Sequence, residues 1–312
     1  MAILVNALIT SSSGEESDDT GRFLTTRFIA LTAVGAVVKP LRFLAIAGFA
    51  CLLPQLALAV DIKGELVQGG LAIGQAKAGD RIELDGQAVK VAPDGLFVVG
   101  FGRDAPAEHK LTIIQPDGKS SEQIVTVRAR QFDIQRIDHL DQNQVTPDPA
   151  TQARIVADIN QVRGARVAAS DDRDFLTPFI WPAKGPISGV YGSQRILNGT
   201  PKSPHFGVDI AAPEGSPVIA PAGGVVTLSA PGMVLMGNAV VLDHGFGVYS
   251  TFIHLHDIAV KPGQHIAQGD LIGHVGKTGR ATGPHLHWGL NWLGVPLDAA
   301  LLVPPMTPLA QQ

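Results

Sequence analysis

The stretch that decides both the fold and the chemistry begins with HFGVD (residues 205–209) and ends with GPHLHW (residues 283–288). Between these segments, at the end of an apolar run, lies STFIHL (residues 250–255). The three segments together supply four imidazoles and one carboxylate, namely His205, Asp209, His254, His285 and His287. Imidazole nitrogens and a carboxylate oxygen are ligands that suit a divalent zinc ion. The stretch therefore predicts a zinc site.

The spacing of these residues lets their side chains converge. His285 and His287 are two residues apart, so they face the same side if the segment is extended. His205 and Asp209 are four residues apart, and they share a face in either a helix or a strand. A catalytic zinc ion takes three protein ligands and leaves the fourth position to water. Five candidates for three places leave two histidines free for proton chemistry, which indicates a zinc hydrolase.

Residues 204–290 closely resemble the zinc metallopeptidases of family M23, the LytM and lysostaphin type. Five segments match, in the order that the family has: HFGVDIAAP (205–213), APAGGVV (220–226), VLDHG (241–245), FIHL (252–255) and GKTGRATGPHLH (276–287). The resemblance implies that zinc is bound by His205, Asp209 and His287. It also implies that His254 and His285 are the two unligated catalytic histidines, which flank the attacking water and the scissile carbonyl.

The same resemblance implies the reaction, which is hydrolysis of peptide bonds within the cross-links of peptidoglycan. His285 is then expected to take the proton from water and His254 to stabilise the oxyanion, although the two roles could be exchanged. Two positions depart from the usual pattern of the family. His256 stands where relatives usually have Ser, and Trp288 stands where Phe is commoner. Neither residue is a matched ligand, so the expected chemistry is unaffected.

Two other classes of protein share parts of this pattern. A non-catalytic LytM-like scaffold could bind wall peptide or activate an amidase, but such a protein is expected to have lost ligands that are present here. A lipoyl or biotinyl carrier barrel has phrases similar to VIAPAGGV (residues 218–225) and VKPGQHIAQGD (residues 260–270). A carrier needs a Lys at a hairpin tip between them, and the segment MVLM (residues 233–236) has none.

Length and composition indicate the number of domains, the kinds of partner and the absence of thiol chemistry. The 312 residues are enough for a leader and two compact units, and the formal charge of -4 is mild. No basic run indicates a nucleic-acid partner. The single cysteine, Cys51, is expected to leave with the leader, so the mature protein would have no disulfide and no thiol chemistry. The expected partner is peptidoglycan peptide; a regulatory envelope protein and the oligomeric state are left open.

Residues 1–59 have the pattern of a leader. Lys39 and Arg42 precede the apolar segment 43–58, and Ala-Leu-Ala at residues 57–59 ends it. A charged start, an apolar middle and such a finish predict a secretory signal peptide that is cut after Ala59. We therefore expect export to the periplasm or cell envelope. If the leader is kept it could anchor the protein in the membrane, although charged residues interrupt the ~20 apolar residues that a span requires.

The remainder of the chain is predicted to be mainly β. From residue 60 to residue 130, apolar and polar residues alternate between DG-type turns, which predicts a small N-terminal β-sandwich. Short β-branched segments punctuated by Gly and Pro predict an antiparallel, all-β metallopeptidase domain over residues 175–303. Residues 304–312 are expected to be a tail.

Residues 131–174 are predicted to be a linker that contains a helix over residues 147–169. Thr146 is the expected cap, and Pro147 would occupy the first turn. A lone helix of this length is marginal in water, so its apolar stripe is expected to pack on one of the two β units.

Four residues outside the matched ligand set have weaker expectations. His256 lies two residues beyond His254, so it would face the same side and could contact substrate if the strand alternation continued. Tyr191 and Arg195 could line the groove. His109 is expected at the surface of the N-terminal β unit.

Overall fold

The computed structural model describes residues 59–137, 148–167 and 169–306. The predicted signal peptide lies outside the described residues, apart from Ala59. The described residues from 59 to 306 belong to one compact unit. In the described part of the chain, no helix is long and apolar enough to cross a membrane.

Two small antiparallel sheets form the N-terminal region, and they confirm the predicted β-sandwich. The first has the order β1-β2-β5 and consists of β1 (Asp61–Gly64), β2 (Leu71–Gln75) and β5 (Leu96–Gly100). The second has the order β4-β3-β6-β7 and consists of β3 (Arg81–Leu84), β4 (Gln87–Val89), β6 (Glu108–Ile114) and β7 (Ser120–Thr126). Buried side chains from both sheets belong to one hydrophobic core.

Turn chemistry explains one of the hairpins directly. Asp85 and Gly86 join β3 to β4, and both have positive φ angles, 50° and 78°. A two-residue hairpin of this kind needs positive φ at both positions, and Asp-Gly is among the pairs that tolerate it best. The Asp85 carboxylate also accepts a hydrogen bond from the backbone N–H of Lys110 at 2.8 Å, which ties the turn to β6.

His109 is buried, so the expectation of a surface position is wrong. Alternate residues of β6 face the core, and His109 shares that face with Leu111 and Ile113. Its Nδ1 lies 2.6 Å from the Asp85 carboxylate, and its ring lies 4.9 Å from that of Phe101. A polar partner supplied by the turn makes burial of this imidazole tolerable.

The predicted linker contains a strand as well as a helix. β8 (Ile134–Ile137) pairs in parallel with β10 (Gln194–Leu197), and β10 pairs with β11 (Thr200–Pro201). This third sheet attaches the segment after the β-sandwich to the segment that precedes His205. Long-range pairing of this kind leaves no local sequence signal, which is why the segment was expected to be a linker.

The helix α1 (Pro149–Gly164) is shorter than the predicted range 147–169. Its cap is Asp148, whose side chain accepts the backbone N–H groups of Ala150 and Thr151 at 3.0 Å. The expected cap Thr146 and the expected first residue Pro147 lie outside the described residues. The sequence TPDP contains two consecutive cap-and-proline pairs, and the second, Asp148-Pro149, begins the helix. At the other end, the helix stops at Gly164, a residue of low helix propensity.

A ten-stranded antiparallel sheet forms the C-terminal region and confirms the prediction of an antiparallel all-β unit. Its main path is β17-β14-β15-β16-β19-β12-β9, with β18 on β16, β13 on β18 and β20 on β19. The strands are β9 (Ile187–Gly189), β12 (Val208–Ala211), β13 (Pro217–Ile219), β14 (Gly224–Met233), β15 (Gly237–Asp243), β16 (Val248–Ile258), β17 (His265–Ile266), β18 (Leu271–Val275), β19 (His285–Trp292) and β20 (Val295–Leu297). Short 3₁₀ helices occupy Asp174–Leu176 and Ala299–Leu302.

One hydrophobic core spans the N-terminal sheets and the ten-stranded sheet, with buried members from Val60 to Val303. Ion pairs also cross between the two regions. Arg173 donates to both carboxylate oxygens of Asp94, at 2.7 and 2.9 Å, and Arg130 lies 2.8 Å from Asp298. The domain boundaries expected at residues 60, 131, 175 and 304 stay a prediction.

A buried hydrogen-bond chain fixes the centre of the large sheet. Trp288 Nε1–H donates to Ser250 Oγ at 3.1 Å, and Ser250 Oγ lies 2.8 Å from His244 Nε2. His244 Nδ1 lies 2.6 Å from the carbonyl oxygen of Gly223. Because that carbonyl only accepts, Nδ1 carries the proton and Nε2 accepts from Ser250. The chain is complete only while His244 is neutral, and burial lowers the pKa of His244 to about 4.

This network predicts a specific pH dependence of stability. The unfolded chain binds a proton at His244 below its ordinary pKa of 6.5, whereas the folded chain binds it only near pH 4. Stability is therefore lost as pH falls between these values. We expect His244→Gln to remove about 2 kcal/mol of the stability difference between pH 7 and pH 4.5, measured by urea unfolding. An unchanged difference in His244→Gln would contradict the assignment of a neutral, buried His244.

Candidate metal centre

Pairing between β12 and β19 places the first two candidate ligands side by side. Asp209 and His287 are directly opposite each other in the register, so their side chains leave the same face of the sheet. His205 precedes β12 and is held by two backbone hydrogen bonds. Its N–H donates to Ser193 and its carbonyl accepts from Gly192, both at 2.8 Å. The loop before β12 therefore carries the third side chain over the strand pair.

Three ligand atoms of these residues meet within hydrogen-bond distance. His205 Nε2 lies 3.0 Å from Asp209 Oδ1 and 2.9 Å from His287 Nδ1. His287 Nδ1 lies 2.8 Å from the same Asp209 oxygen. Within the residues that the structure describes, this is the group of three metal-ligating side chains whose donor atoms cluster closely enough to hold one ion. The structure thus brings together the three predicted zinc ligands.

The charge and protonation of these residues suit a bound cation. His205 Nδ1 lies 3.0 Å from the carbonyl oxygen of Val190, which can only accept, so Nδ1 carries the proton and Nε2 presents a lone pair. Burial opposes ionisation of Asp209, but contacts with His205 and His287 hold its pKa well below the usual range. Burial likewise lowers the pKa of His287. Although burial opposes it, the hydrogen bond to Asp209 raises the pKa of His205. The ionised carboxylate thus attracts positive charge to this point, and a divalent metal suits the same three atoms.

Gly207 explains how the ring of His287 is oriented. A Cβ atom at this position would lie 2.5 Å from His287 Nε2 and 2.8 Å from the carbonyl oxygen of Trp288. Real Cβ atoms essentially never come so close, so a larger residue would push the imidazole away from Asp209. Because Gly207 has no side chain, the backbone can approach the Nε2 side of the His287 ring while Nδ1 faces Asp209.

His254 and His285 form a second pair beside the cluster. Their ring centroids are 4.7 Å apart, and His285 Nε2 lies 4.0 Å from Asp209 Oδ1. His254 Nδ1 lies 2.8 Å from the carbonyl oxygen of Thr278, and His285 Nδ1 lies 2.9 Å from that of Gly283. Both rings therefore carry their proton on Nδ1 in the neutral state, and both leave Nε2 free to accept one.

The backbone around His254 is strained, and its side chain is buried. Its φ angle is 65°, in the left-handed region that non-glycine residues rarely adopt, and its N–H donates to the Met236 carbonyl at 2.8 Å. Such conformations cost of order 1–3 kcal/mol and cluster at functional sites. Burial, opposed by the hydrogen bond to Thr278 and aided by neighbouring imidazoles, lowers the pKa of His254 to about 4. His254 is therefore neutral at pH 7.

The structure also shows where His256, Tyr191 and Arg195 lie relative to the expectations from sequence. The alternation that would align His256 with His254 is interrupted by the positive φ and by a register shift between Leu255 and Asp257, and His256 instead pairs with Glu214 at 3.0 Å. Tyr191 is buried and donates its hydroxyl to the Pro296 carbonyl at 2.9 Å, so it is a structural residue rather than a groove residue. Arg195 is exposed on β10.

The backbone groups that orient the imidazoles leave no signal in the sequence. The carbonyl groups of Val190, Thr278 and Gly283 each fix one Nδ1 proton. A carbonyl group is common to every residue, so no side-chain pattern could have identified these three. Gly207 did carry a signal, because a glycine inside an otherwise β-branched or ligating segment indicates close approach of another group.

Comparison with known proteins agrees with this geometry. Residues 203–299 match the family model described as Peptidase family M23. A crystal structure of a peptidase M23 from Pseudomonas aeruginosa is 30% identical, with a TM-score of 0.60, and the alignment covers 76% of this chain and 95% of that chain. The similarity therefore extends beyond the metal centre to the N-terminal sheets.

Two characterised relatives align over the C-terminal region. The peptidoglycan DD-endopeptidase ShyA of Vibrio cholerae is 39% identical over 125 residues, which is 40% of this chain and 29% of the relative. The DD-carboxypeptidase/endopeptidase Mpg of Neisseria meningitidis is 40% identical over 107 residues, which is 34% of this chain and 24% of the relative. The chain thus spans less than a third of the length of either relative. The alignment covers 95% of the Pseudomonas structure, and the matched motifs supply the three clustered ligand side chains. The chain therefore belongs to peptidase family M23.

Proposed function

We propose that this protein is a zinc-dependent endopeptidase that hydrolyses peptide bonds in the cross-links of peptidoglycan. The observation that carries the proposal is the convergence of three possible ligand atoms beside two further imidazoles whose Nε2 atoms are free. The names of the two relatives, both endopeptidases and one specified as acting on peptidoglycan, support the substrate class. A non-catalytic scaffold would not require the His254 and His285 pair to be kept.

Zinc is the metal that the donor set favours. Two imidazole nitrogens and one carboxylate oxygen, from His205, His287 and Asp209, resemble the three-ligand sets of catalytic zinc sites. When bound, zinc makes water acidic enough to attack near neutral pH and polarises a carbonyl oxygen. Asp209 offsets part of the charge of the ion while leaving the site electrophilic. Each of the three residues therefore serves as a ligand rather than as a proton carrier.

His285 is the residue that we assign to accept the proton of the attacking water. Its Nε2 carries no proton in the neutral state and faces Asp209 Oδ1 at 4.0 Å. An imidazolium formed at His285 would therefore lie close to a carboxylate, and opposite charges at this separation attract. After accepting the proton, His285 can deliver it to the amine that leaves when the peptide bond breaks.

The resemblance implies that His254 stabilises the oxyanion or, with the two roles exchanged, accepts a proton, and its neutral state at pH 7 favours an accepting role. Burial keeps the pKa of His254 at about 4, so it is neutral at the working pH, and its only ring proton is directed at Thr278. A neutral ring cannot supply a positive charge to an oxyanion. Its Nε2 instead accepts a hydrogen bond, which orients the attacking water or the peptide N–H within the site.

We further propose that the protein works in the cell envelope. The proposal rests on the charged, apolar and Ala-Leu-Ala pattern at residues 39–59, and on a substrate that lies outside the cytoplasmic membrane. Amino-terminal sequencing of the protein recovered from the envelope tests it. A first residue of Val60 would support export with cleavage, and retention of the protein in the cytoplasm would contradict it.

The ligand assignment predicts metal loss on charge removal. Asp209→Asn removes the carboxylate, and we expect zinc affinity to fall by more than ~100-fold, because changes outside the ligand shell already cost about 10- to 100-fold. Metal content per protein is measured by plasma mass spectrometry after dialysis against a zinc buffer. His285→Ala is the matched control and should retain full metal content. Loss of zinc in the control but not in Asp209→Asn would reverse the assignment.

Gly207 provides a second, independent test of the cluster. In Gly207→Ala the new methyl group collides with the His287 ring, so we expect weaker zinc binding in a protein whose thermal unfolding remains cooperative. Gly164→Ala is the control, because a Cβ at Gly164 meets no atom within 4 Å. Both proteins are titrated with zinc against a chromophoric chelator. Wild-type affinity in Gly207→Ala would show that the glycine does not position His287.

Hydrolysis is tested directly with isolated peptidoglycan. Purified mature protein is incubated with sacculi, with and without chelator, and the released fragments are identified by mass. We expect chelator-sensitive cleavage of peptide bonds, and losses of about 10²- to 10⁴-fold in turnover for His254→Ala and for His285→Ala with zinc still bound. Binding without release by the zinc-loaded protein would favour the scaffold or amidase-activator alternative.

A further inference from the structure

The loop that bears His205 is held by residues 190–193, which we call the support segment, and the support segment is in turn contacted by the N-terminal region. We propose that Arg103 is a positioning residue of the metal centre, which holds the support segment and, through it, the ligand His205. The N-terminal β-sandwich then helps to set the affinity of the site for zinc. The inference rests on the zinc site of the proposed function and adds to it a residue that lies outside the ligand motifs.

Both the backbone and the ring of His205 are tied to the support segment. The His205 N–H donates to the Ser193 carbonyl and the His205 carbonyl accepts from the Gly192 N–H, both at 2.8 Å. His205 Nδ1 lies 3.0 Å from the Val190 carbonyl oxygen, while Nε2 lies 3.0 Å from Asp209 Oδ1. A shift of the support segment would therefore move a ligand atom of the cluster.

Arg103 contacts the support segment from the N-terminal side. It lies in the loop that joins β5 to β6, and its side chain is 11% exposed. Its Nε–H donates to the Gly192 carbonyl at 2.7 Å, and its Nη1 lies 2.6 Å from the Asp104 carboxylate. Gly192 is thus bonded to His205 through its N–H and to Arg103 through its carbonyl. Hydrogen bonds from a charged donor are stronger than neutral ones, so this contact can hold the backbone of the segment.

Packing adds to this hydrogen bond. The ring of Phe132 lies so close to Gly192 that a Cβ atom there would be 2.1 Å from Phe132 Cδ1, and the φ angle of Gly192 is 83°. The Arg103 guanidinium carbon lies 4.8 Å from the centre of the Phe132 ring, a favourable cation–π distance. Tyr191 packs its own ring 6.0 Å from that of Phe132. Arg103 therefore orders an aromatic contact of the support segment as well as its backbone.

The loop that carries Arg103 is itself anchored on both sides of this residue. The Gly69 N–H donates to the Phe101 carbonyl at 2.7 Å, and the Phe101 side chain is buried in the core. The Ala105 N–H donates to the Gly102 carbonyl at 3.2 Å, and the Ala105 carbonyl accepts from the side chain of Gln68 at 2.8 Å. The guanidinium thus acts on the support segment from a fixed base.

Other arginines that join the two regions end at carboxylates. Arg130 lies 2.8 Å from Asp298, and Arg173 donates to Asp94 at 2.7 and 2.9 Å. Arg103 differs from both because its Nε is spent on a backbone carbonyl next to a metal ligand. This difference makes Arg173 the matched comparison, since it also links the two regions but its hydrogen bonds end at Asp94.

Zinc affinity is the first test. Arg103→Met keeps an apolar stem against Phe132 and removes the donor to Gly192. We expect zinc affinity to fall about 10-fold, at the lower end of the range for changes outside the ligand shell. Affinity is measured by titration of the metal-free protein with zinc against a chromophoric chelator. Arg103→Lys keeps one charged donor and should recover part of the loss, and absence of any recovery would contradict the role of the donated hydrogen bond.

Two control variants accompany this titration. Asp104→Asn removes the ion-pair partner of Arg103 and leaves its bond to Gly192, and Arg173→Met removes a contact between the two regions. Both should bind zinc as the wild type does. A loss in Arg173→Met equal to that in Arg103→Met would indicate general loosening between the regions and would overturn the assignment.

Hydrogen exchange of the metal-free protein, followed by NMR, gives a readout that needs neither zinc nor substrate. In Arg103→Met we expect the amides of His205 and Gly192 to exchange about 10-fold faster, because loss of a bond from a charged donor makes local opening easier by that factor. The amide of His287, within β19, should exchange at its wild-type rate. Faster exchange at His287 to the same extent would show a merely structural role.

The outcomes separate this inference from the proposed function. Wild-type zinc affinity and wild-type exchange at His205 in Arg103→Met would overturn the positioning role, even in a protein that cleaves sacculi. A protein whose zinc affinity and exchange depend on Arg103 as expected, but which releases no fragments from sacculi, would keep the positioning role and lose the peptidase proposal.

Discussion

Convergence of three ligand atoms on one point is the constraint on which the rest of this structure depends. Asp209 Oδ1, His205 Nε2 and His287 Nδ1 lie 2.8 to 3.0 Å from one another. An ionised carboxylate between two imidazoles attracts a cation, and the fold must hold the three side chains in place for it. Asp209 and His287 are held as a direct cross-strand pair, and two backbone hydrogen bonds hold the loop that bears His205. Gly207 lets the backbone approach the His287 ring closely enough to fix its orientation.

Backbone carbonyl groups then decide what each imidazole can do. Three of the site histidines direct the Nδ1 proton at a carbonyl oxygen, which leaves Nε2 as the atom that faces the chemistry. The distance from Nε2 to Asp209 Oδ1 then separates a ligand from a proton carrier. It is 3.0 Å for His205 and 4.0 Å for His285. The strained backbone of His254 is consistent with this, because a left-handed residue is kept only where surrounding contacts enforce it.

The sequence predicted the local parts of this arrangement well. Alternation of apolar residues identified the strands, Asp-Gly identified a hairpin turn, and the His and Asp spacings identified residues that the structure brings together. Long-range features were less accessible. The parallel pairing of β8 with β10 joins segments about 60 residues apart, and the burial of His109 depends on the carboxylate of Asp85 in the turn between β3 and β4. The apolar stripe of α1 indicated that the helix would pack on a β unit, but not that Val162 would pack against Leu228, Val241 and Tyr249 of the large sheet. The spacing of apolar residues along a helix specifies which side is buried, but it does not specify the element against which that side packs.

X-ray absorption at the zinc edge of the metal-loaded protein tests the central claim most directly, because it counts the ligands of the ion. The account predicts two imidazoles, one carboxylate oxygen and a solvent oxygen, with an unchanged spectrum when His254 or His285 is replaced by alanine. A first shell with three or four imidazoles, or one that changes on replacement of His285, would contradict the division of the five residues into ligands and proton carriers.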